Sequence, residues 1–82
     1  MARHIETIYS LLKEEDDLQT ELESVKDDIV ENLYTIDESK DAARVKKAEE
    51  TVDMLRSRED ELKSALNATR YNIRRRLLWL FE

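Results

Sequence analysis

Two glutamates, Glu15 and Glu59, stand at positions of an otherwise apolar repeat. Carboxylates that face one another between apolar side chains raise each other's pKa, because neither tolerates a second negative charge nearby, and such a pair can hold a proton or a metal ion. Helical bundles that bind two metals complete such a site with Glu-x-x-His pairs. This chain has no Glu-x-x-His, and its one histidine, His4, is remote from both glutamates in sequence. Glu15 and Glu59 are therefore expected to form a polar layer that sets register, with their charges reaching water or Lys13, Arg56 or Arg58. No metal and no cofactor is expected.

Other charged clusters carry less. In KEEDD at 13–17 and SREDELK at 57–63, consecutive side chains point around a helix rather than at one spot. The first lacks the alternating ligands and the glycine of a calcium loop. Both read as solvated faces. NAT at 67–69 matches a glycosylation acceptor but falls within a helical pattern. No nucleophile is placed beside a base, and there is no glycine-rich phosphate loop. The expectation is a protein that is not an enzyme.

The segment YNIRRRLLWLFE at 71–82 departs from the rest. Arg70, Arg74, Arg75 and Arg76 make a basic patch at a helix C-terminus, where cations complement the negative end of the helix. Leu77, Leu78, Trp79, Leu80 and Phe81 follow and are apolar on every side, more than one neighbouring helix covers. An exposed apolar patch of this kind marks an interaction site, and Trp and Arg are frequent carriers of binding energy.

The elements that position these residues follow from what the chain lacks. Among 82 residues there is no Gly, Pro or Cys, and 41% are charged. Without the usual turn residues, and rich in Glu, Lys, Arg, Leu and Ala, the sequence reads as long helix. In the first half, Ile8, Glu15, Leu22, Ile29 and Ile36 alternate with Leu11, Leu18, Val25 and Asn32 at steps of three and four. In the second half, Val45, Val52, Glu59, Leu66, Ile73 and Leu80 alternate with Ala48, Leu55, Leu62, Thr69 and Arg76. Each set is one apolar seam of a coiled coil.

The two seams are out of phase between 33 and 44, where NLYTIDESKD holds Thr35 and Glu38 in capping-box spacing. This predicts a single helical-hairpin domain over residues 1–82. Helix 1 covers about 3–33, a turn about 34–39 and helix 2 about 38–81. Folded about Asp37, facing residues sum to about 74, which sets Glu15 against Glu59 and leaves 72–82 as an overhang. Charge agrees with antiparallel pairing. Residues 1–41 hold 13 acidic and 4 basic side chains, residues 42–82 hold 7 and 10, and the net charge is −6.

The fold class expected is thus all-α, a long antiparallel two-helix coiled coil. Ile5, Leu12 and Leu33 lie beside the seam of helix 1, and Tyr9 and Val30 widen it further. This predicts a homodimer, a four-helix bundle, as the means of covering the excess. The interface is expected to use Ile5, Ile8, Tyr9, Leu12, Ile73, Leu77, Leu78, Trp79, Leu80 and Phe81. The function expected is protein–protein interaction or assembly, of adaptor, chaperone or scaffold type. An alternative is an acidic inhibitor whose carboxylates mimic nucleic-acid phosphates and fill a basic cleft. The arginines also suit a membrane surface or nucleic acid, though the overall negative charge weighs against the latter. No apolar run approaches the ~20 residues of a membrane span, there is no secretion signal, and the absence of cysteine fits a cytoplasmic protein.

Overall fold

A computed structural model describes residues 2–81, with the side chains of residues 5–80. The chain is an all-α antiparallel hairpin, α1 over Ala2–Glu38 and α2 over Ala42–Phe81, measuring 61 × 14 × 13 Å. The seams anticipated from heptad spacing face each other. Ile8, Leu22, Val25 and Ile29 of α1 are buried against Ala48, Val52, Leu62, Leu66 and Ile73 of α2. Leu18, Ile36 and Leu55 pack at the margin of this core. Burial of each Leu, Ile or Val contributes about 1.5–3 kcal/mol, so the seam dominates the stability of a fold with only one helix–helix interface. Thr69 is the buried polar side chain among the described residues.

The turn lies later than the sequence suggests. Thr35 does not cap a helix: its hydroxyl donates to the carbonyl of Glu31 at 3.2 Å, the back-bonding of a helix interior. α1 closes with the amide of Ser39 donating to the carbonyl of Thr35 at 2.9 Å. The N-cap of α2 is Asp41, whose Oδ1 accepts from the amides of Ala43 at 3.0 Å and Arg44 at 3.4 Å. Ser39 Oγ in turn accepts from the amide of Asp41 at 3.2 Å. Two short polar side chains thus satisfy the backbone groups that a glycine turn would free, and no described residue adopts a positive φ.

Moving the turn moves the register. Glu21 meets Arg58 and Glu15 meets Arg70, so facing residue numbers sum to about 79–85 instead of about 74, a slide on the order of 10 Å. Two expectations fall with it. Glu15 and Glu59 do not share a layer, and the segment from 72 is not an overhang. Thr7 and Leu11 of α1 border one cavity with Asn72, Arg75, Arg76 and Trp79, and Ile8 and Ile73 are both buried. α1 runs beside the end of α2 because it is longer, and its turn later, than the capping signal implied.

Candidate interaction surface at the open end of the hairpin

Side chains beside the seam form two edges, each marked by a cross-helix contact. On one edge Arg70 donates through Nε to Glu15 Oε2 at 3.1 Å and through Nη2 to Gln19 Oε1 at 3.4 Å. Steps of seven keep a residue on the same edge, so towards the open end this edge continues as Leu12 and Ile5 on α1 and Leu77 on α2. All three are exposed. Tyr9, at steps of four and three between Ile5 and Leu12, widens the strip and is 74% exposed.

On the other edge Arg58 donates to Glu21 Oε1 through Nη2 at 2.6 Å and Nε at 3.2 Å, and to Glu61 Oε2 at 3.1 Å. These acceptors hold the Arg58 guanidinium above its ordinary pKa, the hydrogen bond to Glu21 most of all and that to Glu61 next. Heptad steps from this pair lead to Thr7 and to Asn72 and Trp79, which line the cavity at the open end. The guanidinium of Arg76 lies 5.3 Å from the Trp79 ring centre, within cation–π range.

The expected interface set therefore divides. Ile8 and Ile73 belong to the core of the hairpin itself. Ile5, Tyr9, Leu12, Leu77, Leu78 and Trp79 are exposed, Leu80 is half-buried, and Phe81 ends α2 with its side chain outside the described residues. The arginines divide, with Arg75 and Arg76 bordering one cavity. Arg70 is drawn to the α1 edge, Arg75 lies over Tyr71 at 6.0 Å and Arg76 over Trp79, with Arg74 a further turn of about 100° away from its neighbours. His4 lies outside the residues whose side chains are described.

Glu15 and Glu59 solve their half-buried positions separately. Glu15 is met by Arg70 beside the buried Thr69, so the polar layer there is Glu15, Gln19, Arg70 and Thr69. Glu59 is paired along its own helix with Lys63 at 3.6 Å. The partners named from sequence, Lys13, Arg56 and Arg58, serve neither. Arg70 was legible only as a basic residue; its role depends on register, which heptad spacing does not fix.

At the outer side of the α2 end, Tyr71 and Leu78 are one heptad apart on one stripe, 58% exposed each. Arg74 and Arg75 stand three and four residues from both and flank them. Among the described residues no helix is long and apolar enough to cross a membrane. No protein-family model matches this sequence, and no curated protein and no solved structure matches it.

Proposed function

We propose that this chain is a small non-enzymatic interaction protein of adaptor, chaperone or scaffold type, which docks another protein through the open end of the hairpin. One observation carries the reading: Tyr71 and Leu78 stand on the outer stripe of α2 and Trp79 on the edge next to it, and each is more than half exposed although Ile73 beside them is buried in the seam. Aromatic and leucine side chains in water are costly to leave uncovered, and exposed clusters of them mark contact surfaces. Arg74 and Arg75 beside Leu78 suit a partner with an apolar pocket and an acidic rim. The test is affinity capture with the full chain, with Leu78→Glu and with Met54→Glu, an exposed apolar control elsewhere on α2. A partner retained by the wild type and by Met54→Glu but lost with Leu78→Glu supports the reading. The same captured proteins with all three oppose it.

A second reading rests on α1. Asp16, Asp17, Glu23, Asp27, Asp28 and Glu31 are exposed, and among the described residues only Glu15 and Glu21 of this helix reach a basic side chain of α2. Such a row suits a basic cleft that ordinarily takes nucleic acid. Binding of that kind weakens steeply as salt rises, whereas docking through Leu78 and Trp79 changes little.

A further inference from the structure

The edge bearing Gln19 and Arg70 has a pattern that the hairpin does not use. Going along α1 at alternating steps of four and three, it reads Tyr9, Leu12, Asp16, Gln19, Glu23, Lys26, Val30 and Leu33. All are exposed except the half-buried Gln19. From Tyr9 to Leu33 the series is palindromic in position and in chemistry, while Ile5 beyond it falls on Asp37. Inverted about residue 21, Tyr9 falls on Leu33 and Leu12 on Val30, apolar on apolar. Asp16 falls on Lys26, acid on base, and Gln19 falls on Glu23, amide on carboxylate.

A two-fold axis places residue i of one copy against residue j of the other and j against i. We infer that this face is a homodimer interface in which α1 packs antiparallel on α1 of a second copy, with the two-fold axis at residue 21. This goes beyond the docking proposed above and uses a different face, since Tyr71 and Leu78 lie on the outer side of α2.

α2 supplies an independent check. Glu21 contacts Arg58 and Glu15 contacts Arg70, pairs that sum to 79 and 85, so an axis through residue 21 of α1 passes α2 between residues 58 and 64, close to 61 and 62. On the same edge of α2, inversion about the midpoint of residues 61 and 62 sets Asp60 against Lys63 and Asp53 against Arg70, again acid on base, and all four are exposed. One axis therefore satisfies both helices, and each opposite-charge pair occurs twice. From Tyr9 to Leu33 the face spans about 36 Å of helix and two helix widths of about 10 Å each. That is on the order of 700 Å² per chain, close to the roughly 800 Å² per partner of a standard stable interface. The result is a four-helix bundle with the two turns at opposite ends.

Charge exchange at the Asp16–Lys26 pair tests the inference, read as mass by light scattering or sedimentation across a concentration series. The wild type is expected at twice the 9.8 kDa chain mass. Asp16→Lys alone and Lys26→Asp alone each set like charges together twice and should raise the dissociation constant at least tenfold, with the helical signal unchanged. The double variant should recover wild-type affinity. Mixing the two single variants should give a heterodimer, in which every pair is opposite again. A wild type that is monomeric at tens of micromolar overturns the inference. So does a dimer that neither single variant weakens, which is the behaviour of a parallel pairing or of another face.

Discussion

Arg70 Nε lies 3.1 Å from Glu15 Oε2 across 55 positions of sequence. This contact identifies the register of the hairpin. Nitroxide labels at 15 and 70 should show strong dipolar broadening, and labels at 15 and 59 should be weakly coupled, because 59 and 70 are about 16 Å apart along α2. Strong coupling at 15 and 59 would restore the layer of two glutamates.

The same pair has modest energetic value. Its side chains are 50% and 32% exposed, so water screens the attraction. A double-mutant cycle with Glu15→Ala and Arg70→Ala, followed by urea unfolding, should give a coupling of about 0.2–1 kcal/mol that shrinks at high salt.

Stability is expected to follow the seam rather than the apolar count. Leu62 is 2% exposed and Leu78 is 58% exposed. Leu62→Ala should cost about 2–5 kcal/mol, and Leu78→Ala should stay within about 0.5 kcal/mol. Circular dichroism during urea unfolding measures both.

The turn offers a comparison between a cap and a residue that resembles one. Asp41→Ala removes the acceptor for two α2 amides and should cost about 1 kcal/mol, with Asp41→Asn nearly neutral. Thr35→Ala, in a helix interior, should be neutral or slightly stabilising, since Ala has the higher helix propensity. Thermal unfolding of the three variants separates the cases.

The helices and their inward faces were legible because the apolar period is strong. Leu22, Val25, Ile29, Val52, Leu62 and Leu66 all lie where steps of three and four put them. The register was not, since a seam that repeats every seven residues looks much the same after sliding along its partner. Only the turn breaks that degeneracy, and here it is built from Ser39 and Asp41 with no Gly or Pro to announce it. Thr35 and Glu38 imitated a capping box, which brought the turn forward and turned the end of α2 into an overhang. The exposed strip of Ile5, Tyr9 and Leu12 needed no register and was read correctly as lying outside the seam. Ile8 and Ile73, read both as seam residues and as part of an oligomer or partner interface, are covered by the hairpin itself.

Trp79 is the only tryptophan, and it sits at the end of the hairpin farthest from the turn. Two helices joined by a short turn close most easily beside that turn, where loop-closure entropy is least. The indole therefore occupies the part that zips last and opens first. Its emission reports local fraying, whereas the far-ultraviolet signal averages over both helices. Superimposable transitions from the two probes would mean that the hairpin opens as one cooperative unit over its whole length.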